Sequence, residues 1–377
     1  MTLGKAVRSE WQLDPDFLTV NHGSFGATPI AVRAEQDGWR ARMEAQPTRF
    51  MSGLPALLRD AADQLGAFLG GEGRNIAFLD NATTGCNAVL RSLVFAPGDD
   101  VLVLNHGYGA VRNTVRFVTE RAGATMTEAA IPFPGTDEDA VVEAIASALT
   151  GRTRLAVIDH ITSASGLVLP LARIVAACHA DGVPVLVDGA HAPGQIDLDL
   201  ARLGADWYAG NCHKWLCAPK GGAFLWANPE RQAGLHPTVI SHGLGQGFLT
   251  EFDWTGTRDP SAALSVPAAL AFHARLGGPA LRVRNITLAA EASALVARRL
   301  NTETGVTGPM SGAMGLVRLP YNGPPLALRA RLLAAGTDAP VHAIAGAIWL
   351  RLSAFAYNEL EDYDHLADLV ARVIREA

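Results

Sequence analysis

The sequence predicts an α/β fold built on a mostly parallel sheet with helices on both faces. Short, almost continuously apolar runs of strand length alternate with helical patterns through the middle of the chain. Strands that are apolar on both faces are typical of parallel sheets buried between helices. With 377 residues, 49% hydrophobic and 18% charged, the chain is also long enough for a large core and a second domain.

The strand and helix candidates alternate in chain order. Strands are predicted at residues 76–79, 101–104, 155–158 and 183–187. Helices are predicted at residues 87–95, 111–122, 137–149 and 171–181. The last helix is followed by Gly182, which suits a helix end. This alternation predicts a large α/β domain over residues 40–265, which would carry the binding site.

The character of the chain changes after Pro260. Helical patterns follow at residues 261–276, 279–301 and from 362 onward, with strand-like pieces at 315–319 and 347–352. We predict a smaller α+β domain composed of residues 1–39 and 266–377. The segment 228–259 is rich in glycine and has little periodicity. Long irregular segments in compact domains are often functional.

Composition argues against several classes of function. A net charge of -6 gives no basic field for nucleic acid or anionic lipid. The N-terminus lacks the apolar stretch of a secretion signal, and the apolar stretch at 339–356 is interrupted by His342 and Arg351. Neither the four cysteines nor the histidines have the spacing of a metal or disulfide framework. We expect a cytoplasmic protein with no metal, nucleic-acid or membrane partner.

One lysine stands out because lysine is scarce. Only three of the 31 Lys and Arg residues are lysines, and Lys214 lies within the run GNCHKW. Asp188 ends the apolar run VLVD upstream of it. A lysine that can form an imine, together with a carboxylate at the end of a buried strand, is the pair that pyridoxal phosphate requires. Lys214 would hold the aldehyde and move the substrate α proton, and Asp188 would keep the ring nitrogen protonated.

Each residue of the pair has a plainer interpretation. Asp188 alone could cap a turn, and lysines are usually solvated surface residues. Lys220 is a rival lysine in the same loop, between proline and glycine. Lys214 is preferred because His213 beside it offers a donor to the cofactor phosphate. The combination of Asp188 with Lys214 makes the cofactor hypothesis the stronger one.

A phosphate site is predicted between the first strand and the next helix. The run DNATTG occupies residues 80–85. Helix N-termini with free amides bind phosphate, and the hydroxyls of Thr83 and Thr84 would add donors. The same run is also typical of an ordinary helix cap, so by itself it is weak evidence for a phosphate site.

Five stretches resemble the class V aminotransferase family of fold-type I pyridoxal phosphate enzymes, with the isopenicillin N epimerase branch the nearest likeness. They stand in the family order: NHGSFGA at 21–27, NATT at 81–84, DGAHAPG at 188–194, GNCHKWL at 210–216 and TGTRD at 255–259. The resemblance implies the fold-type I pyridoxal phosphate transferase architecture. It also implies a homodimer with active sites at the subunit interface.

The resemblance assigns further cofactor contacts. Tyr108 matches the aromatic residue that stacks on the pyridine ring, and His191 matches a donor to the phenolic oxygen. Thr257 matches a threonine that reaches the phosphate from the neighbouring subunit. A core tyrosine, a structural histidine and a turn threonine are the respective alternatives.

The resemblance also implies substrate contacts. Arg351, in the apolar run WLRLS, matches the arginine that binds the substrate carboxylate. Arginine suits this role because its two parallel N–H groups fit a carboxylate. Asn21 and His22 resemble the N-terminal loop over the active site.

Several reactions at the α carbon remain open. The branch name favours epimerisation of an amino acid or short peptide. Carbon–sulfur cleavage, on cysteine conjugates or of the ergothioneine-pathway type, and transamination are alternatives, as is a ligand-binding protein without catalysis. No cysteine occurs after Cys217, which disfavours persulfide-forming desulfuration.

Overall fold

A seven-stranded sheet forms the centre of the molecule, and the computed structural model describes residues 2–376. The strands are β1 (Ile76–Leu79), β2 (Asp100–Leu104), β3 (Thr125–Ala129), β4 (Thr153–Asp159), β5 (Val185–Gly189), β6 (Trp207–Asn211), β7 (Ala223–Ala227), β8 (Met314–Arg318), β9 (Val341–Ile344) and β10 (Ala347–Ser353).

The helices outnumber the strands. They are α1 (His22–Phe25), α2 (Ile30–Ala45), α3 (Pro47–Leu69), α4 (Ala82–Ser92), α5 (Gly109–Ala122), α6 (Glu138–Ala148), α7 (Leu171–Ala180), α8 (Leu200–Leu203), α9 (Phe248–Asp253), α10 (Ser261–Leu264), α11 (Val266–Arg275), α12 (Pro279–Arg299), α13 (Pro325–Ala334) and α14 (Leu360–Arg375). Short 3₁₀ helices cover Gly4–Glu10, Gly73–Asn75, Pro229–Arg231 and Gly308–Met310.

The large sheet has the strand order β1-β7-β6-β5-β4-β2-β3. Neighbouring strands from β6 to β3 are parallel, and β7 runs antiparallel to both β6 and β1. Every residue of β1, β5, β6 and β7 is buried, because helices cover both faces. The mostly parallel, helix-covered sheet confirms the predicted α/β fold.

The predicted elements agree with the structure where a strong apolar pattern exists. Strand β1 matches its prediction, and β4 and β5 differ from theirs by about two residues at an end. The helix predicted from residue 87 begins at Ala82 instead, because Asn81 caps it. The single helix predicted over residues 261–276 is interrupted at Ser265 between α10 and α11.

Some elements lack a clear sequence signal. Strand β3 reads TMTEA and lies at the edge of the sheet, where polar residues are exposed. No pattern above predicts it, nor helices α2 and α3. The segment 228–259 is irregular apart from its 3₁₀ turn and α9.

A second, three-stranded antiparallel sheet has the order β8-β10-β9. It shares an apolar cluster with α12, α13 and α14. Residues near the N-terminus join it: the Leu18 amide donates to the Gly336 carbonyl at 2.8 Å, and the Ser353 amide donates to the Val20 carbonyl at 2.7 Å. The domain boundaries near residues 39 and 265 stay a prediction.

No helix within residues 2–376 is long and apolar enough to cross a bilayer. Over the same residues, no group of three or more His, Cys, Asp or Glu side chains could hold a metal ion.

Candidate active site

A cavity of about 390 Å³ opens at the carboxyl edge of the large sheet. Ligands of open α/β sheets bind at this edge, in cavities of about 300–1,000 Å³. The lining side chains are mostly polar, and several can titrate. They are Ser24, Phe25, Asn81, Ala82, Thr83, Tyr108, Asp159, Ile161, Ser163, Asp188, Ala190, His191, Asn211, His213 and Lys214.

The strand order arranges the principal side chains along the cavity. Asp159 ends β4, and it is the direct register partner of Asp188 on β5. Lys214 follows β6 on one side of this pair, and Tyr108 follows β2 on the other. The two carboxylates therefore lie between Lys214 and Tyr108 along the sheet edge.

The amine of Lys214 is poised for nucleophilic chemistry. Burial and then the charge of Arg351 lower the pKa of Lys214 to about 8, against the charge of Asp188, which raises it. A lowered pKa leaves more of the amine neutral near physiological pH, and the neutral amine is the form that attacks an aldehyde.

His191 is the nearest polar neighbour of that amine. Its Nε2 lies 3.2 Å from Lys214 Nζ. Burial, and then the charges of Lys214 and Arg351, hold the pKa of His191 well below its usual range, so the ring is neutral. Its Nδ1 is buried and has no hydrogen-bond partner within residues 2–376. A buried polar atom of this kind is expected to have a ligand or water partner.

Asp188 is buried, with 4% of its surface exposed. Its Oδ1 accepts a hydrogen bond from the Ala190 amide at 3.0 Å. Burial raises the pKa of Asp188, while that amide and the charge of Lys214 oppose the rise. The carboxyl therefore gains from a cationic partner inside the cavity. The next residue, Gly189, leaves no room for a side chain, since a Cβ there would lie 2.0 Å from the Tyr208 ring.

Helix α4 presents its N-terminus to the cavity. Asn81 caps the helix by accepting from the Thr84 amide at 2.8 Å and from the Thr84 hydroxyl at 3.1 Å. Thr83 lines the cavity, but Thr84 does not, because its hydroxyl is committed to the cap. The Ala82 amide donates to Asn211 Oδ1 at 2.8 Å, which ties the helix start to β6. The remaining amide and hydroxyl of Thr83 suit an anionic group.

His213 also lines the cavity. Its Nδ1 lies 3.1 Å from the Gly222 carbonyl oxygen. Burial, and then the charge of Lys214, lower the pKa of His213 to about 4, so it is a neutral hydrogen-bonding group.

These groups fit pyridoxal phosphate. The cavity offers an amine for the aldehyde in Lys214, a carboxylate for the ring nitrogen in Asp188, and a helix N-terminus for the phosphate at Thr83. His191, whose Nε2 lies 3.2 Å from the amine, also has a second ring nitrogen, Nδ1, without a protein partner among residues 2–376, which suits a polar ring substituent.

Tyr108 stands at the rim of the cavity with 43% of its surface exposed. It is the N-cap of α5, and its amide donates to Asp159 Oδ1 at 3.3 Å. The phenol is close enough to Arg351 to influence that residue's pKa.

Arg351 lies behind the cavity wall and not in it. Only 2% of it is exposed, and its guanidinium donates to the Ser163 carbonyl, to Asn21 Oδ1 at 3.0 Å and to Ser24 Oγ at 2.7 Å. All three acceptors are uncharged, and Arg351 Nε is buried without a partner among the described residues. Burial lowers the pKa of Arg351 to about 10, so it remains a cation at neutral pH.

Asn21 and His22 belong to residues 21–28, which we term the N-terminal strap. Asn21 does not line the cavity; its Nδ2 donates to Asp338 Oδ2 at 2.6 Å while its oxygen accepts from Arg351. Asp338 is in turn held by Arg329 through bonds of 2.8 and 2.9 Å. Asn21 therefore positions Arg351 and is not exposed to a substrate in this arrangement.

His22 lies beneath the cavity and does not face it. Its Nδ1 is 2.9 Å from the Tyr357 hydroxyl, and its Nε2 is 3.1 Å from the Lys214 carbonyl oxygen. The ring stacks on Phe355 with centroids 3.7 Å apart. Both ring nitrogens are committed to protein groups. His22 therefore supports the main chain of Lys214, in place of the substrate contact expected from the sequence.

Thr257 is exposed and lies outside the cavity. Its neighbour Arg258 reaches Asp80 at 3.2 Å and the Phe78 carbonyl at 3.3 Å, just before α4 begins. A single chain does not test the expected contact with the phosphate of a neighbouring subunit.

Several residues that line the cavity were not predicted from the sequence, among them Asp159, Ser24 and Phe25. Asp159 follows the apolar run of β4 as Asp188 follows that of β5, so the same signal could have identified it. Ser24 and Phe25 lie within the NHGSFGA stretch, but nothing local indicates that they reach the cavity.

Comparisons with known proteins agree with this site. The model of the family described as aminotransferase class-V matches residues 32–311. A probable L-cysteine desulfhydrase of Arabidopsis thaliana is 33% identical, over 96% of this chain and 84% of its own. The isopenicillin N epimerase of Streptomyces clavuligerus is also 33% identical, over 96% of both chains.

A solved structure shows the same fold. The complex of the cystine C-S lyase C-DES with its product cysteine persulfide has a TM-score of 0.80 and 24% identity, over 96% of this chain and 98% of the other. A variant of that lyase carries glycine linked to its pyridoxal phosphate cofactor. From the family match, the two relatives and the fitted cavity, this chain belongs to the aminotransferase class V family and is a pyridoxal phosphate-dependent enzyme.

Proposed function

We propose that this enzyme removes the α proton of a free amino acid and cleaves the carbon–sulfur bond at its β carbon. The observation that carries the proposal is Lys214, a scarce amine with a lowered pKa that shares one cavity with Asp188. The desulfhydrase and C-S lyase names among the relatives and solved structures favour this reaction. Cysteine and one water molecule would yield pyruvate, ammonia and hydrogen sulfide.

Lys214 and Asp188 carry the chemical step. Bound pyridoxal phosphate supplies an aldehyde that joins to amines and a ring that accepts the electrons released at the α carbon. Asp188 holds a proton on the ring nitrogen by charge attraction. Lys214 first holds the cofactor, and once the substrate amine replaces it, the freed Lys214 amine takes the α proton.

Thr83, His191, His213 and Tyr108 position the cofactor in this proposal. Thr83 and the start of α4 receive the phosphate, with His213 as a further donor. Thr84 contributes through the cap that it forms with Asn81. The Nδ1 of His191 would be available to the phenolic oxygen, and the Tyr108 ring at the rim of the same cavity would stack on the pyridine ring.

Arg351 receives the substrate carboxylate. A buried guanidinium with only uncharged acceptors is costly, and an anion relieves that cost. The Ser24 hydroxyl lies between Arg351 and the cavity, since it lines the cavity and bonds Nη2 at 2.7 Å. We therefore expect the incoming carboxylate to displace Ser24 from Arg351.

The cysteines do not support a persulfide route. All four are buried, and burial raises the pKa of each thiol, to about 11 for Cys178. A reactive cysteine needs a lowered pKa and an accessible position. Elimination requires neither, because Lys214 alone can take the α proton and return it to the leaving sulfur.

Epimerisation is the second candidate. It would need an acid on the face of the α carbon opposite Lys214, and the Tyr108 phenol, which lines the same cavity as Lys214, is the candidate for that acid. The isopenicillin N epimerase relative, similar over its whole length, favours the same reaction.

We further propose that the enzyme is a homodimer in which Thr257 reaches the phosphate of the partner's site. The exposed position of Thr257, outside its own cavity and close to the start of α4 through Arg258, supports this. Light scattering should give twice the chain mass, 39.7 kDa. A cytoplasmic location also stays a prediction, since one relative is named as chloroplastic.

One experiment separates the candidate reactions. The holoenzyme is incubated in deuterated water with L-cysteine, with cysteine conjugates and with short peptides bearing a free amine, next to a Lys214→Ala control. Release of pyruvate and sulfide supports elimination, and an α-deuterated product of inverted configuration supports epimerisation. A wild-type protein that neither binds the cofactor at Lys214 nor exchanges an α proton would overturn both.

A further inference from the structure

We infer that Asp159 is an additional residue of the cofactor site, and that it stays protonated so that Asp188 is the single anion beside the ring nitrogen. The role rests on the proposed cofactor site, but the protonation itself can be tested on the apoprotein.

Asp159 and Asp188 form a side-by-side pair. They are register partners on the adjacent parallel strands β4 and β5, so their side chains point to the same face. Such strands lie about 4.8 Å apart. Both residues line the cavity, and each is only 4% exposed. Two carboxylates this close in a shielded site cannot both carry full charge near neutral pH.

The surrounding charges decide which carboxyl keeps the proton. The titratable and charged groups that face the pair are Cys86 of α4, Tyr108 at the N-cap of α5, Arg112 of α5, Tyr208 of β6, and His191 and Lys214 in the loops after β5 and β6. The charge of Lys214 opposes the rise that burial causes in the pKa of Asp188. Arg112 is the cation on the side of Asp159, and its guanidinium is paired with Glu128.

The proton therefore resides on Asp159. Burial, and then the charge of Asp188, raise the pKa of Asp159 well above its usual range. Asp188 keeps the negative charge because it is the member of the pair nearer to Lys214 along the sheet.

Asp159 has a second contact that a neutral side chain can also make. The Tyr108 amide donates to Asp159 Oδ1 at 3.3 Å, at the N-cap of α5. This bond fixes the main chain that carries the Tyr108 ring. An asparagine at position 159 keeps the shape, the carbonyl acceptor and the absence of charge, so Asp159→Asn mimics the protonated acid.

Apoprotein stability tests the protonation. Because the pKa of Asp159 is raised in the folded state, folded protein holds a proton that unfolded chain releases above about pH 4. The stability that the protonated Asp159 contributes to the folded protein is fully present below about pH 4. It is lost as pH rises through the raised pKa of Asp159. Asp159→Asn removes the loss, so its Tm should exceed that of wild type by about 2–4 °C at pH 8. The gap should close near pH 4. A lower Tm at pH 8, or an equal gap at both pH values, would overturn the inference.

Cofactor binding tests the role. Titration of the apoproteins with pyridoxal phosphate should give Asp188→Asn a Kd at least about tenfold weaker than that of wild type and Asp159→Asn a clearly smaller loss, because asparagine keeps a neutral acceptor for the Tyr108 amide. If Asp159→Asn weakens binding as Asp188→Asn does, Asp159 is an anion and the inference fails. If wild-type apoprotein binds no cofactor, the proposed function fails, and the Tm comparison still decides the protonation of Asp159.

Discussion

Two walls of the cavity, the sheet edge and the N-terminal strap with Arg351 behind it, are held in place by different means. Asp159, Asp188 and Lys214 lie on or after the consecutive strands β4, β5 and β6, so the hydrogen-bond ladder of the main chain sets their spacing. Arg351 and the N-terminal strap come from opposite ends of the chain and are joined by side-chain bonds, including Arg351 to Asn21 and to Ser24.

In the proposed function, the sheet edge carries the chemical step, and the strap with Arg351 binds the substrate. A ladder between buried strands is rigid, because breaking it exposes many backbone groups at once. The bonds of Arg351 involve single side chains, and one of them can be exchanged for a substrate carboxylate at small cost. We expect changes at the sheet edge to abolish the reaction and changes at the strap to alter substrate affinity.

The largest effect is expected at Lys214. Lys214→Ala removes both the attachment of the cofactor and the base, so turnover should fall by at least about 10³-fold. Borohydride reduction followed by mass spectrometry should find no cofactor on the variant chain.

Lys220→Ala is the matched control for this substitution. Lys220 is the other lysine of the loop, and its Nζ donates to the Gly26 carbonyl at 2.9 Å without lining the cavity. The reduced label should stay on Lys214 in this variant. A label that moves to Lys220 in Lys214→Ala would show that the wrong lysine has been assigned.

A smaller effect is expected at Arg351. Arg351→Met should lower kcat/KM for an amino acid by about 100-fold, mainly through KM, because charge-assisted bonds to the carboxylate are lost. Cysteamine, which has no carboxylate, should bind wild type and variant equally. An equal loss of affinity for cysteamine would show that Arg351 supports the fold and does not bind the substrate carboxylate.

The pH dependence of cofactor attachment links the two walls. The pKa of Lys214 is lowered to about 8, so the neutral amine predominates above that pH and is scarce below it. The rate at which apoprotein attaches pyridoxal phosphate should therefore rise with pH, pass through its midpoint near pH 8 and level off at higher pH.

Arg351→Met should move this midpoint upward, because the charge of Arg351 is one cause of the lowered pKa. Stopped-flow absorbance measures the rate across the pH range. An unchanged midpoint would show that the two walls are electrostatically independent.

The smallest effect is expected at Ser24. Ser24→Ala frees one N–H of Arg351, so KM for an amino acid should fall by about two- to fivefold with kcat unchanged. Steady-state kinetics with L-cysteine measures the change. A rise in KM would mean that the Ser24 hydroxyl stays in place and binds the carboxylate together with Arg351.

The residues that sequence patterns located share one property: they adjoin a strong local signal. Asp188 ends a fully apolar strand, and Lys214 closely follows the fully buried strand β6. Asp159 carries the same signal as Asp188 at the end of β4, but no second motif accompanies it. One local signal is weak because a carboxylate after a strand is often only a turn residue.

The placement of Arg351 and His22 was not accessible in this way. Arg351 contacts Asn21 and Ser24 from more than 300 residues away along the chain. His22 contacts the Lys214 carbonyl from 192 residues away along the chain. Gly26 shows how tightly the strap packs there, since a Cβ would lie 2.1 Å from the His213 carbonyl oxygen.

By itself, the sequence determined the parallel sheet, the pair of Asp188 and Lys214, and the cofactor that they imply. It could do so because periodicity and apolar runs are local, and because parallel strands bring their carboxyl ends to one edge in any register. The tertiary structure decided that Arg351 lies behind Ser24, that His22 supports Lys214 and that Asp159 pairs with Asp188. Those contacts depend on how distant segments pack and on which neighbouring strands align, and neither is encoded in any short stretch of the chain.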